Sequence, residues 1–328
     1  MRRIFAAMSD ALPNTQPTPS SDRPFRWSDA GQLMKLRLAA SVVFSAVAGF
    51  LLGVSVQELS LGFWPRLLEF FVLVAGGMLV VGSSNAFNQI WERDRDALMH
   101  RTRQRPLPSG RMQLAHAWAV AVITGALGLV ALFWLNALTG AFGALSIALY
   151  VLVYTPLKAV TPWAVLVGAF PGAIPTMLGW VAATGRFGIE PGVLFALQFV
   201  WQFPHFWAIA WMGYDDYARA GYYLLPSRKK DRSATYGSFV YAAFMVAISL
   251  LPASGLTGAL KLSWLGAVLV LGAGVWVVWA ALRMHREPSD PQARKLMLTT
   301  IGYLTLVQII YVIDHFFLHG TVGFLFRR

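Results

Sequence analysis

The chain has 328 residues, of which 57% are hydrophobic and only 13% are charged. Soluble domains carry about twice that charged fraction, so the composition excludes a soluble globular protein and predicts an integral membrane protein. No cysteine is present, which excludes disulfides, thiolate metal sites and cysteine nucleophiles. The net charge of +12 is better explained by anionic lipid headgroups and membrane topology than by nucleic acid, so we expect no nucleic-acid partner.

The first 31 residues differ in composition from the remainder of the chain. Residues 9–31 are rich in Pro, Ser, Thr and Asp, a composition that buries too little apolar surface to fold. We therefore predict a disordered cytoplasmic tail over residues 1–31 and a single membrane domain over residues 32–328.

Nine apolar segments follow the tail, and each is long enough to cross a bilayer, which takes roughly 20 residues. Pro residues mark joints between them, as at Thr155-Pro156 and Pro288. The predicted fold class is therefore all-α, a polytopic membrane protein with nine transmembrane helices. The spans are predicted at residues 33–54, 67–91, 113–135, 138–156, 162–183, 192–213, 236–256, 263–283 and 297–318.

The basic residues predict how the bundle is oriented. With a cytoplasmic N-terminus, only five of the 27 Lys and Arg residues fall on the opposite side, namely Arg66, Arg186, Lys261, Arg327 and Arg328. Because basic loops stay on the cytoplasmic side, this bias predicts that the N-terminus is cytoplasmic. We expect a multi-pass protein of the inner (plasma) membrane, with all the polar motifs described below at its cytoplasmic face.

Amides and acids at the end of the second span carry the clearest chemical signal. If that helix continues to Asp96, then Asn88, Glu92 and Asp96 form one stripe, whereas Asp94 points elsewhere. Charged residues within a membrane span are costly and usually mark function. Oxygen ligands stacked on one helix face suit Mg²⁺, whose coordination is often completed by substrate phosphates.

Arginines follow this stripe directly, and Arg101 and Arg105 are placed to bind phosphate oxygens through the forked guanidinium. The alternative is an interfacial helix end whose acids pair with arginines only to fix the topology. That alternative does not explain why the polar amides of Asn85 and Asn88 lie inside the membrane, where unpaired polar groups are costly.

Residues 88–110 have the pattern N-x3-E-x-D-x-D followed by R-T-x2-R-P-L-P-S-G. This pattern resembles the first aspartate-rich motif of the UbiA superfamily of intramembrane prenyltransferases. The resemblance implies nine helices and transfer of a prenyl group from a prenyl diphosphate to an aromatic or macrocyclic acceptor. Glu92 replaces the usual Asp, and Gln89 stands where quinone-pathway members often have a second Asp.

Other segments resemble one family within this superfamily, the heme O synthases or protoheme IX farnesyltransferases. They are W-Q-F-P-H-F-W at 201–207, Y-D-D-Y at 214–217, Y-T-P-L-K at 154–158 and K-L-R at 35–37. The resemblance implies that a farnesyl group passes from farnesyl diphosphate to a vinyl group of heme b, which gives heme O. Mg²⁺ is then expected to assist departure of the diphosphate, and no side-chain nucleophile is required.

The same resemblance implies roles for individual side chains. Catalysis and Mg²⁺ binding are assigned to Asn88, Glu92, Asp96 and Asp216. Diphosphate binding is assigned to Arg37, Arg101, Arg105, Tyr154 and Lys158. Contact with the acceptor is assigned to Trp201 and His205.

Structural alternatives stay open for several of these residues. Asp215 and Asp216 are adjacent and no acid follows four residues later, so Asp216 can instead be a helix-end acid that pairs with Arg219. Lys158 can be an interfacial residue with its charge at the membrane surface. His205 can equally be an interior histidine whose hydrogen bonds are satisfied within the bundle.

The partners implied are farnesyl diphosphate, heme b and the lipid bilayer, with heme A synthase or oxidase assembly downstream. One alternative is a UbiA-type prenyltransferase with a quinone-precursor or chlorin acceptor. A different class is an anionic lipid transporter, which predicts charges spread through the bilayer midplane. Here the acids and arginines instead cluster at one predicted face. The residues alone do not give the prenyl chain length.

Overall fold

The computed structural model describes residues 25–56 and 62–319. Most of the predicted disordered tail lies outside these residues. Its last part differs from the prediction, because Trp27–Leu33 form a short helix, α1. Ala30 and Leu33 on α1 are buried in a hydrophobic cluster with the helices that follow, and this contact orders a segment whose own composition is unfavourable for folding.

Nine helices among the described residues are long and apolar enough to cross a membrane, which confirms the predicted fold class. The largest differences from the predicted bounds are at the end of α3 and the start of α11, where both helices are longer. Including the short helix α8, which follows the sixth span, the elements are α2 (Leu36–Ser55), α3 (Phe63–Leu98), α4 (Leu114–Leu135), α5 (Ala137–Leu157), α6 (Ala164–Thr184), α7 (Ile189–Met212), α8 (Tyr214–Arg219), α9 (Arg232–Ser254), α10 (Trp264–Arg286) and α11 (Asp290–Phe317).

The length of α3 brings the first acidic motif out of the membrane. Its 36 residues span about 54 Å at 1.5 Å per residue, whereas the hydrocarbon layer is about 30 Å thick. The last turns therefore project beyond that layer, and the helix continues past Asp96, as the stripe of Asn88, Glu92 and Asp96 requires. The end of α3, residues 99–113, the end of α5 and α8 together form what we call the polar end of the bundle.

The helices form two groups that meet along α6 and α7. Helices α2 to α6 pack around one another in the first group, and α7, α9, α10 and α11 pack together in the second. Contacts between α6 and α7 and between α2 and α11 join the two groups. The two groups of helices therefore share one interior, and polar side chains of both α3 and α7 can face it.

Glycines allow α2 and α6 to approach closely. A Cβ atom on Gly179 would overlap the Ala46 carbonyl, and one on Gly49 would overlap the Thr176 carbonyl. Small residues at a helix crossing are typical of membrane bundles, where close backbone packing replaces the hydrophobic effect as the source of affinity.

We predict that Gly179→Ala destabilises the bundle by about 1–3 kcal/mol, because the added methyl group must displace backbone atoms of α2. Thermal unfolding of the detergent-solubilised protein measures this loss. Gly272→Ala is the matched control, since a Cβ there meets no atom of the described residues within 4 Å. Equal transition temperatures for the two variants would contradict the close crossing.

Candidate active site

Two buried ion pairs lie at the polar end of the bundle. Lys158 Nζ is 2.7 Å from Glu92 Oε1, and the Arg105 guanidinium donates a hydrogen bond of 2.7 Å to Asp96 Oδ2. The Glu92 and Asp96 side chains are only 5% and 0% exposed. Each pair joins an acid that was expected to bind Mg²⁺ to a cation that was expected to bind diphosphate.

A widened turn in α5 positions Lys158 in this site. Residues Leu149–Tyr154 form a π-helix, a feature that often occurs at functional sites. Thr155 Oγ1 donates to the Tyr150 carbonyl across this segment and accepts a hydrogen bond of 3.2 Å from the Asn88 amide. Asn88 therefore links α3 to α5 just before the chain reaches Lys158.

Aromatic rings surround the Lys158 ammonium. It lies 4.7 Å from the ring centroid of Tyr154 and 5.9 Å from that of Tyr222. Burial alone would lower the pKa of Lys158, but Glu92, together with Tyr150 and Tyr222, outweighs burial and raises that pKa above its ordinary value. Lys158 is therefore a cation at neutral pH. Tyr222 was not among the predicted site residues, and only its spatial position reveals it.

Asp216 joins the loop after α3 to helix α8. Its carboxylate accepts hydrogen bonds from the backbone N–H groups of His100 and Arg101, at 3.2 and 3.1 Å, and from the Arg219 side chain. The small cost of burial raises the pKa of Asp216, but these hydrogen bonds outweigh it and hold the pKa below its usual value. The pairing with Arg219 considered above is present, and the contacts with residues 100 and 101 were not foreseen.

The four predicted Mg²⁺ ligands are not gathered into one cluster. Among the described residues, no three Asp, Glu or His side chains lie close enough together to hold a metal ion. The Asp216 carboxylate is already hydrogen-bonded to the backbone of the loop after α3. Asn88, Glu92 and Asp96, in contrast, share the stripe on α3 as predicted.

The stripe nevertheless fits a hard cation. Among the described residues, Asp96 Oδ1 is buried without a hydrogen bond, whereas Glu92 Oε1 lies 2.7 Å from the Lys158 ammonium. A buried carboxylate oxygen such as Asp96 Oδ1 is costly unless a ligand satisfies it. Oxygen donors on successive turns are also the chemistry that Mg²⁺ prefers. Asn88, Glu92 and Asp96 are therefore the residues that could hold such an ion.

Lys35, rather than Arg37, faces these carboxylates. Lys35 interacts electrostatically with Glu92, Asp96, Arg105 and Lys158, whereas Arg37 is exposed at the start of α2. Burial, together with the two neighbouring cations, lowers the pKa of Lys35 to about 7. Diphosphate binding was assigned to Arg37 from this segment, whereas the structure places Lys35 beside the acids.

Two amides on α3 hold the turn that carries Lys35. Asn85 Nδ2 donates to the Met34 carbonyl at 3.2 Å, and Gln89 Nε2 donates to the Leu33 carbonyl at 2.7 Å. Lys35 itself has φ 49°, a left-handed conformation that is uncommon for a residue other than glycine. These hydrogen bonds explain why the Asn85 and Gln89 amides are inside the bundle, because they hold the turn between α1 and α2 against the acidic end of α3.

The predicted acceptor residues lie where α7 meets α11. The rings of Trp201 and His205 stack with centroids 4.6 Å apart and an interplanar angle of 18°. Trp201 Nε1 donates to the Thr300 carbonyl at 2.6 Å, and His205 Nδ1 is 3.0 Å from Thr300 Oγ1. Both side chains are thus held in fixed orientations by one residue of α11.

Residues 39–306 match the UbiA prenyltransferase family. The chain belongs to this family. It is therefore an enzyme that transfers prenyl groups. Among curated relatives, it is 48% identical over 289 residues to the protoheme IX farnesyltransferase of Christiangramia forsetii, covering 88% of this chain and 94% of the relative. It is 47% identical over 290 residues to the enzyme of the same name from Flavobacterium psychrophilum, covering 88% and 95%.

Solved structures share the fold of this chain. A digeranylgeranylglyceryl phosphate synthase aligns with a TM-score of 0.71 at 17% identity, covering 88% of this chain and 98% of the other. A UbiA homologue from Archaeoglobus fulgidus, bound to DMAPP and Mg²⁺, aligns with a TM-score of 0.63 at 15% identity, covering 88% and 98%. At these identities the likeness establishes the fold of this prenyltransferase.

We predict that pyrophosphate binding to this prenyltransferase takes up a proton at pH 8. Lys35 is mostly neutral above its pKa of about 7, and a bound polyanion favours its protonated form. Calorimetric titration in buffers of different ionisation enthalpy measures this proton uptake. For each pyrophosphate bound, wild type should take up about half a proton or more in excess of the uptake by Lys35→Met. Arg37→Met should keep the wild-type uptake, because arginine is always protonated. Equal uptake in wild type and Lys35→Met would contradict the position assigned to Lys35.

Proposed function

We propose that this protein transfers a farnesyl group from farnesyl diphosphate to a vinyl group of heme b, with heme O as the product. The main structural support is two buried ion pairs at the polar end, Glu92 with Lys158 and Asp96 with Arg105. These pairs supply the acids that a metal ion requires and the cations that a diphosphate requires. The names of relatives that are 47–48% identical support farnesyl as the prenyl group and heme b as the acceptor.

Donor binding exchanges the partners of these two ion pairs. Glu92 and Asp96, with Asn88 on the same stripe, would hold Mg²⁺, while Lys158 and Arg105 turn to the diphosphate oxygens. Every buried charge then has a partner before and after binding. This matters because an uncompensated buried charge typically costs about 3–5 kcal/mol.

The cations of the site then stabilise the leaving group. When bound, Mg²⁺ supplies Lewis-acid stabilisation of the charge that develops on the pyrophosphate. Arg105 and Lys158 donate hydrogen bonds to the same oxygens, and Lys35 adds positive charge beside them. The rings of Tyr154 and Tyr222 exclude water around Lys158, which strengthens its attraction for the leaving group. The terminal carbon of the heme b vinyl group attacks the allylic cation, which leaves a cation on the other vinyl carbon. Water adds to that cation and loses a proton to the released pyrophosphate or to solvent, which gives the hydroxyethylfarnesyl group of heme O, so no side-chain nucleophile takes part.

The contacts of Asp216 support a positioning role in place of the metal-ligand role that the resemblance implies. Its carboxylate holds the backbone at His100 and Arg101, and the same loop carries Arg105 back to Asp96. Loss of Asp216 would therefore move Arg105 without removing an oxygen from the stripe on α3. Trp201 and His205 are proposed to contact the acceptor.

The orientation of the protein follows from its basic residues. The strong bias of Lys and Arg to one side of the predicted spans supports a cytoplasmic N-terminus and a cytoplasmic polar end in the inner membrane. Farnesyl diphosphate would then reach the site from the cytoplasm, while its prenyl chain enters the apolar interior of the bundle.

The proposal predicts that Asp96→Asn lowers the rate of heme farnesylation by about 100-fold or more, since the buried carboxylate loses its charge. The measurement is mass spectrometry of hemes after incubation of purified protein with heme b, farnesyl diphosphate and Mg²⁺. Asp94→Asn is the matched control, because Asp94 is 87% exposed and, within the described part of the chain, pairs only with the neighbouring Arg93. Its rate should stay within about twofold of wild type.

Two outcomes of this assay would count against the proposal. If Asp96→Asn reacted at the wild-type rate, the acids of the stripe on α3 would not take part in the reaction. If the protein prenylated a quinone precursor or a chlorin but not heme b, the donor site would stand and the proposed acceptor would be wrong.

A further inference from the structure

Tyr222, in the segment between α8 and α9, is buried beside the Glu92–Lys158 ion pair. Only 3% of its surface is exposed. The centre of its ring lies 5.9 Å from Lys158 Nζ and 5.1 Å from Arg95 Cζ, within the range of cation–π contacts. Met99 belongs to the same small buried cluster as the ring. These contacts fix the orientation of the ring at the polar end.

The end of α8 directs Tyr222 into this position. Gly221 has φ 72°, a left-handed conformation that glycine adopts without strain. Its N–H donates to the Ala218 carbonyl at 3.0 Å. The N–H of Tyr222 donates to the Tyr217 carbonyl at 2.8 Å. These two hydrogen bonds form a Schellman motif, which ends the helix and turns the chain back.

Helix α8 is itself tied to the end of α3 and to the loop that follows it. Asp216, near the start of α8, holds the backbone of this loop. Arg101 was assigned to the diphosphate, but its side chain donates a hydrogen bond of 2.9 Å to the Tyr217 hydroxyl. Arg95 Nη1 donates to the Ala220 carbonyl at 3.2 Å. The helix and the turn after it are therefore held against α3 at both ends.

The Tyr222 hydroxyl faces the Glu92 carboxylate and is close enough to hydrogen-bond to it. Burial, together with the negative charge of Glu92, raises the pKa of Tyr222 above its ordinary value. The hydroxyl therefore keeps its proton at neutral pH and acts as the donor. Glu92 Oε1 is at the same time 2.7 Å from Lys158 Nζ. The carboxylate thus has one charged and one neutral partner.

The length of the Glu92 side chain suits this arrangement. Glu92 stands where the motif that this segment resembles usually has Asp. Its additional methylene extends the carboxylate by about 1.5 Å from α3, toward Lys158 and Tyr222. A shorter aspartate would draw its carboxylate back toward α3 and away from the Tyr222 hydroxyl.

We propose that Tyr222 is a positioning residue for the metal ion, and that its hydroxyl holds the Glu92 carboxylate in the orientation that binds Mg²⁺. The inference rests on the proposed function, because it takes Glu92 as one of the residues that hold the ion. It adds a residue outside the stripe on α3. It also explains the departure at position 92, since the longer side chain and the tyrosine act together.

A neutral partner is suited to the exchange of ion pairs. When Lys158 turns to the diphosphate, Glu92 loses its cation, and without a second hydrogen bond its carboxylate would be free to rotate. The Tyr222 hydroxyl carries no charge, so it can stay with Glu92 while the metal ion replaces the ammonium. Carboxylates that bind metals are commonly held by such hydrogen bonds, and loss of the partner typically lowers metal affinity about 10- to 100-fold.

The test is calorimetric titration of the full-length protein with Mg²⁺. Tyr222→Phe keeps the ring but removes the hydroxyl, so we expect it to bind Mg²⁺ about tenfold more weakly than wild type. Tyr223→Phe is the matched control, because the neighbouring Tyr223 is 39% exposed, and it should bind Mg²⁺ as wild type does. Unchanged Mg²⁺ affinity in Tyr222→Phe would overturn the proposal.

A second arm separates a positioning role from a purely structural one. Tyr222→Phe is repeated in a Glu92→Asp background, where the shorter side chain keeps its charge but is withdrawn from the hydroxyl. In that background Tyr222→Phe should change Mg²⁺ affinity by less than about twofold, because the two residues no longer act together. A tenfold loss in both backgrounds would mean that Tyr222 supports the fold without acting through Glu92, which would also overturn the proposal.

These titrations require neither heme nor turnover, so their outcome is independent of the acceptor. If heme b is farnesylated while Mg²⁺ affinity does not depend on Tyr222, only the role of Tyr222 is wrong. If Tyr222→Phe shows the expected loss but heme b is not farnesylated, the role of Tyr222 stands and the proposed function is wrong.

Discussion

The buried acids of α3 impose the main constraint on this fold. Glu92 and Asp96 are almost fully enclosed, so each requires a cation within hydrogen-bonding distance. Lys158 and Arg105 provide these charges from two different segments, the end of α5 and the loop after α3. The polar end of the bundle is therefore assembled around two charge pairs, although apolar packing holds the helices together elsewhere.

Several local features follow from this requirement. The π-helical turn of α5 directs Lys158 toward Glu92, and the Asn88–Thr155 hydrogen bond fixes the two helices where they meet. Asp216 anchors the loop that carries Arg105. The first two devices use neutral or backbone groups, and the third uses a carboxylate that belongs to neither ion pair. The charges of the two pairs therefore stay available for exchange with a ligand. Rigid supporting contacts of this kind are what a site for a polyanion needs.

The sequence was sufficient for the nine spans and the stripe on α3, because both depend on local periodicity and length. It was insufficient where backbone groups of distant segments meet. In the sequence, Gln89 is only a departure from the usual motif. In the structure it donates a hydrogen bond to the Leu33 carbonyl and so helps to place Lys35 beside the acids. Asp216 was assigned as a metal ligand, yet besides Arg219 its partners are the backbone N–H groups of two residues more than 100 positions away in the chain. The order of α1 likewise depends on a tertiary contact that composition does not reveal.

The exchange of ion pairs is tested most directly by calorimetric titration of Mg²⁺ and pyrophosphate, first separately and then together. Each alone should bind weakly, because Mg²⁺ leaves Lys158 and Arg105 without their acids, and pyrophosphate leaves Glu92 and Asp96 without their cations. Together they should bind at least about tenfold more tightly, a coupling of about 1.4 kcal/mol. Lys158→Met should tighten binding of Mg²⁺ alone while weakening that of pyrophosphate, since it frees Glu92 from its partner. Additive binding of the two ligands in wild type, together with unchanged Mg²⁺ affinity in Lys158→Met, would contradict the account.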